Sequence, residues 1–149
     1  MKRILRFGLA FVLAVFAIAQ LVPVARDNPP VESEVPVTPE ARAVLVHACF
    51  DCHSNQTVWP WYSKVAPGSW LLAKDVREGR AELNFSSWSR YSAKKQRKLL
   101  RESLTEVKEG EMPLWVYLVG HREARLSDAD RAALERWSDE RIAALDAGR

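Results

Sequence analysis

The chain has 149 residues, with 22 Lys or Arg against 19 Asp or Glu, which is long enough for one compact domain and too short for two. Three of the basic residues, Lys2, Arg3 and Arg6, stand at the N-terminus, where residues 1–19 contain no acid, and the rest of the chain is charge-balanced. A balanced domain lacks the clustered cationic excess that grips a phosphate backbone, so nucleic acid is excluded as a partner.

The apolar run Phe7–Val24 follows, interrupted only by Gly8, Gln20 and Pro23. Basic residues ahead of such a run mark an export signal whose basic end stays in the cytoplasm. Ala17-Ile18-Ala19 has the form of a small-x-small cleavage site, while the 18 residues of the run just reach membrane-spanning length. Residues 1–24 therefore read either as a removable signal peptide or as a signal-anchor helix. Both place the domain outside the cytoplasm. A buried core helix fits the charge asymmetry badly. Residues 25–37, with three prolines and no apolar periodicity, predict an extended tether. Residues 38–149 remain as the domain.

Thr38-Pro39-Glu40 is a helix start: a Thr cap, Pro in the first turn and an acid at the positive end. The helix is expected to run through Val44, Leu45 and Ala48 into Cys49–His53. Residues 54–68, with two prolines and a glycine, predict a long structured loop, and a short helix from Ser69 to about Gly79. Leu100, Leu104 and Val107 share one helical face between Ser92 and Glu109, with Gly110 as the stop. Ser127-x-x-Asp130 predicts a capped last helix carrying Leu134, Trp137 and Leu145 inward. No run of alternating β-branched residues exists, so the fold class is all-α.

The stretch HACFDCHSN, residues 47–55, holds the only two cysteines. A thioredoxin-like couple needs a βαβ pattern that is missing here. A structural disulfide between Cys49 and Cys52 would close a very small loop and gain little. Zinc needs four tetrahedral ligands, yet no second cysteine pair exists, and adjacent Cys52 and His53 point in different directions. Haem accounts for every position: Cys-x-x-Cys-His sets two thiols one helical turn apart for the porphyrin edge and the next imidazole under the iron.

The second axial position has three readings. Met112, in EGEMPLWVYL, is the only methionine beyond Met1 and sits between Gly110 and Pro113; a Met/His pair is a recognised haem ligand set that raises the potential. His121 would give a bis-histidine iron, and otherwise the site is open. His47 shares a helix with His53 and cannot easily reach across the ring. All six tryptophans lie between 59 and 137; Trp59, Trp61, Trp70, Trp88 and Trp115 are candidates to line the haem faces. Arg77, Arg80, Trp59, Tyr62 and Asn84 are candidate propionate donors. Lys94, Lys95, Arg97, Lys98 and Arg101 crowd a helix start, against the dipole preference, and form a candidate docking patch for an acidic redox partner or anionic lipid.

Residues from about 28 to 137 resemble the haem-binding-domain family of bacterial c-type cytochromes, relatives of the class I cytochrome c fold. The likeness rests on NPP (28–30), CFDCHSN (49–55), WPWYSKVAPGSWLLAKDVREGRAELNFSSW (59–88), GEMP (110–113), Tyr117, His121 and LSDADRAALERW (126–137). The resemblance implies a small cytochrome c-like helical domain around one covalent haem c, with Cys49 and Cys52 as attachment sites, His53 as proximal ligand and Met112 as distal ligand. It further implies that the Pro67 carbonyl accepts the second imidazole N–H and that the N-terminal segment is retained as an anchor. The expected function is single-electron transfer with a redox partner protein, without catalytic residues. The alternatives are a haem-based sensor whose Met112 leaves the iron and a haem peroxidase, for which only His121 offers acid–base chemistry.

Overall fold

In the computed structural model, which describes residues 2–148, the side-chain hydroxyl of Thr38 accepts from the Ala41 N–H and opens helix α2 (Pro39–Ala48) as predicted, α1 being the N-terminal helix Lys2–Ala19. Helix α2 does not continue through the cysteines. Cys49, at φ −128° and ψ −37°, breaks it, and a separate turn, α3 (Phe50–His53), carries the rest of the motif. Helix α4 (Gly68–Glu82) runs longer than predicted at both ends. Helix α5 (Ala93–Glu109) is capped by Ser92 and closed by Gly110 in the left-handed region, φ +79°. A six-residue helix, α6 (Trp115–Gly120), occupies a stretch the sequence left unassigned. Helix α7 (Asp128–Ala147) starts in the predicted Ser127–Asp130 capping box. Among the described residues there is no strand, only one isolated bridge between Ser33 and Ser87.

Among the described residues Gly110 is the one with positive φ, and an added Cβ would meet nothing within 4 Å. Gly110→Ala is therefore expected to cost about 1 kcal/mol through backbone strain alone, read as a small loss in chemical-denaturation midpoint with an unchanged slope.

The apolar faces of α2, α5 and α7 meet in one core. It contains Leu45, Leu99, Leu100, Val107, Leu134 and Trp137, joined by Phe50, Phe85 and Trp88 from the connecting segments. Helix α5 packs along α7, α2 against α7, and α3 against α4.

Residues 25–37 are extended, as their prolines dictate, but they are fastened to this body. The Glu32 and Ser33 N–H groups donate to the Ser86 carbonyl and the Val35 N–H to Phe85. The Trp137 indole donates to Pro36, and Val35 is buried in the core. The folded body thus begins before Thr38.

Helix α1 buries none of its residues. It stops at Ala19 rather than reaching Val24, and Gln20 then pairs with the Ala66 backbone, its amide donating to the carbonyl and its oxygen accepting from the N–H. Among the described residues no helix is long and apolar enough to cross a membrane. Lys2, Arg3 and Arg6 leave 13 residues of apolar helix from Phe7 to Ala19, about 20 Å against a hydrocarbon thickness of roughly 30 Å. The predicted N-terminal hydrophobic helix is thus present but shorter than the apolar run.

Candidate functional site

A cavity of about 740 Å³ opens beside the Cys49–His53 turn, between α4, α5, α7 and the segment after α5. Its volume falls in the range of small-molecule and cofactor sites. Leu99, Leu100, Leu104, Leu126 and Leu134 give it apolar walls, and Cys49, Cys52, His53 and Met112 all line it. The sequence-predicted attachment and ligand residues are therefore brought to one place. Both thiols are free. Burial in the cavity wall pushes each up to about 12, helped for Cys49 by Cys52 and for Cys52 by Asp51 and Asp75, so both remain S–H at neutral pH.

His53 is fixed through its Nδ1, which lies 3.0 Å from the Gly79 carbonyl and 3.1 Å from the Leu83 carbonyl. With carbonyls as the only acceptors, Nδ1 carries the proton and Nε2 is left with the lone pair that binds a metal. Burial holds the imidazole below its ordinary value, and the two backbone bonds oppose this in part. The ring is neutral at pH 7.

The Pro67 expectation is corrected by these bonds. The Pro67 carbonyl accepts from the Trp70 and Leu71 N–H groups as α4 begins, so it serves the helix start while the opposite end of that helix serves His53. Trp59 and Trp70 are placed elsewhere than expected, since neither lines the cavity. The inward stripe of α4 is Ser69, Leu72 and Val76; Trp70 falls off that spacing and is 40% exposed. Trp59 belongs to the loop before the Trp61–Lys64 turn, and its buried indole N–H has no partner. Trp61 and Trp115 are exposed, and Trp88 lies in the core against Phe85. The tryptophan that reaches the cavity is Trp137.

His121 does not face the cavity. Its Nε2 is 2.8 Å from the Tyr62 hydroxyl, its Nδ1 is 3.2 Å from Glu123, and its ring stacks on Tyr117 at 4.1 Å. His47 is also outside the wall. Met112, rather than His121 or His47, thus shares the cavity with His53. Among the described residues no three His, Cys, Asp or Glu side chains cluster as a metal site, which leaves the zinc reading without geometric support.

Arg80 and Asn84 are committed elsewhere, to the backbone and side chains around Ser54, Asn55 and Thr57. The cations that do line the cavity are Lys95 and Lys98, read from sequence as part of a surface patch. Arg97 of the same cluster turns to α7, where it meets the Leu145 carbonyl and Asp146. Sequence reasoning also missed Asp51. Its carboxylate accepts from the Tyr117 hydroxyl at 2.7 Å and from the Val58 N–H at 2.8 Å. That bond ties the segment after Met112 to the turn bearing His53, and burial, followed by the bond to Asp51, drives the Tyr117 phenol pKa upward. An acid inside the Cys-x-x-Cys spacer was the available signal.

An imidazole with a free Nε2, a thioether and two thiols in one apolar cavity suit a haem in faces, axial donors and edge. No curated protein and no solved structure matches the chain. A family model described as haem-binding domain matches residues 14–140. With the match covering most of its length, the chain belongs to the haem-binding domain family.

Proposed function

We propose that the protein is a monohaem c-type cytochrome that passes single electrons to a redox partner protein at the outer face of a bacterial inner membrane. The observation that carries this reading is the convergence of Cys49, Cys52, His53 and Met112 on one cavity. When bound, haem supplies a one-electron ferric/ferrous couple. His53 offers Nε2 to the iron while Nδ1 stays committed to backbone carbonyls. Met112 would hold the iron through its thioether, a ligand that favours the reduced form and raises the potential. The Tyr117–Asp51 bond holds the two ligand-bearing segments in register, so little has to move on electron transfer. Lys95 and Lys98 offer donors to the propionates. Export is supported by Lys2, Arg3 and Arg6 preceding the apolar part of α1.

The test is to produce the full chain in a bacterium that attaches haem c. Haem that survives a denaturing gel, with a low-spin spectrum and the long-wavelength methionine–iron band, is the expected result. Met112→Ala is then expected to lose that band and lower the reduction potential. A wild-type chain with covalent haem, a high-spin spectrum and ligand binding unchanged by Met112→Ala would move the function to sensing. No covalent haem despite competent maturation would overturn the c-type assignment.

A further inference from the structure

We infer that Gly79 is a positioning residue for His53: the missing side chain lets α4 close on the backbone of Cys52, and at that distance its carbonyl orients the imidazole. The inference rests on His53 as the iron ligand and adds what sets its orientation and electron donation.

Glycine inside a helix costs about 1 kcal/mol relative to alanine, and Gly79 lies well within α4. Its φ is not positive, so no backbone conformation requires it. Space does. A Cβ at this position would stand 2.7 Å from the Cys52 carbonyl oxygen and 3.1 Å from both the Cys52 carbonyl carbon and Cβ. The obstructing atoms belong mainly to backbone, in the turn that carries the haem motif, and cannot rotate aside. Alanine at 79 would push α4 away from α3.

The Gly79 carbonyl already accepts from the Leu83 N–H at 2.9 Å in the last turn of α4, and its second lone pair faces His53 Nδ1 at 3.0 Å. The Leu83 carbonyl, just past the helix end, lies at 3.1 Å. Carbonyls at a helix C-terminus carry partial negative charge. An imidazole N–H donating to such groups has its tautomer and ring plane fixed and its other nitrogen made more basic. A more basic Nε2 stabilises the ferric iron and lowers the potential, opposing the thioether of Met112. The pair of carbonyls at the end of α4 is thus the chain's second control over the couple, and Gly79 sets its distance.

The haem-loaded full chain tests this in two ways. In the ferrous wild type, the His53 Nδ1–H is expected to give a slowly exchanging proton resonance; exchange as fast as that of a solvent-exposed imidazole overturns the inference. In Gly79→Ala the potential is expected to rise with the methionine–iron band retained and the Nδ1–H exchanging faster. Gly148→Ala, at the end of α7 where a Cβ meets only the Ala144 carbonyl at 3.7 Å, should match the wild type. A Gly79→Ala potential and exchange rate equal to wild type overturn the inference. Should Gly79→Ala fail to mature, the wild-type exchange rate decides alone. A wild-type chain that takes up no haem refutes the functional reading instead; the tautomer is then read on the haem-free chain, where an Nε2–H imidazole overturns the Gly79 inference separately.

Discussion

Changing Cys49 and Cys52 together to alanine is expected to remove all haem that survives denaturation, while haem that binds without a covalent link is retained. Both thiols line the same cavity wall as His53. Each thioether would form by addition of an S–H across a porphyrin vinyl group, sulfur bonding one carbon and hydrogen the other, so no oxidant would be needed. The competing fate is a disulfide, which needs a thiolate to begin. Burial pushes both groups up to about 12, so at neutral pH each is almost wholly S–H and the disulfide route is slow. The double variant keeps Nε2 of His53, the Met112 thioether and the apolar walls. It should therefore bind haem reversibly, with a low-spin spectrum lost on unfolding. The single variants Cys49→Ala and Cys52→Ala should each retain one thioether and stain on a denaturing gel. A double variant that still stains after denaturation would show that these cysteines are not the attachment points.

Much of this arrangement was legible because it is local. Thr38, Ser127 with Asp130, and Gly110 each act within one turn of chain, and all three sit where the sequence put them. Cys-x-x-Cys-His was legible as a candidate haem site because its spacing is itself the argument, and its three side chains line one cavity. What failed depended on partners far away in sequence. Nothing local marks Cys49 as a helix break; the break follows from docking α3 against α4. Counting tryptophans identified aromatic residues but not their directions, and Trp137 reached the cavity because of where α7 crosses α5. Pro67 was placed by likeness to another fold, whereas the acceptors for His53 lie at the opposite end of the same helix. The proline-rich stretch was correctly extended, but composition does not say what an extended chain lies against. Asp51 and Gly79 went unread for a related reason: each matters through one contact, to Tyr117 and to Cys52 respectively, that only the fold creates.

Arg80, next to Gly79, is where these long-range contacts concentrate, and Arg80→Ala is expected to cost about 2–4 kcal/mol, the range for losing several hydrogen bonds to a charged donor at a partly buried site. Its Nε donates to the Ser54 carbonyl at 2.8 Å, immediately after His53, and its Nη2 to the Thr57 hydroxyl at 2.9 Å. The same fork holds residues 27 and 28, donating to the Asp27 carbonyl at 3.0 Å and the Asn28 side-chain oxygen at 2.9 Å. One guanidinium thus joins α4, the loop leaving the haem motif and the proline-rich segment. Desolvation lowers its pKa, but an arginine starts so high that it stays charged throughout the working range. Truncation would leave the buried Ser54 carbonyl without this donor and loosen residues 27 and 28, leaving the Asn28 amide bond to the Thr57 carbonyl. At about 2–4 °C per kcal/mol for a chain of this size, the melting temperature of the haem-loaded protein should fall by roughly 5–15 °C. Proteolysis within residues 25–37 should quicken in parallel. Arg80→Lys should recover only part of the loss, since an ammonium cannot reproduce the planar fork. Arg77→Ala is the comparison: that side chain is exposed and pairs only with its neighbour Glu78 at 4.0 Å, so its effect should stay within about 0.5 kcal/mol. If Arg80→Ala melts no lower than Arg77→Ala, the fork is a surface decoration, and the proline-rich segment is held by its other contacts, among them Val35, the Ser86 carbonyl and the Trp137–Pro36 bond.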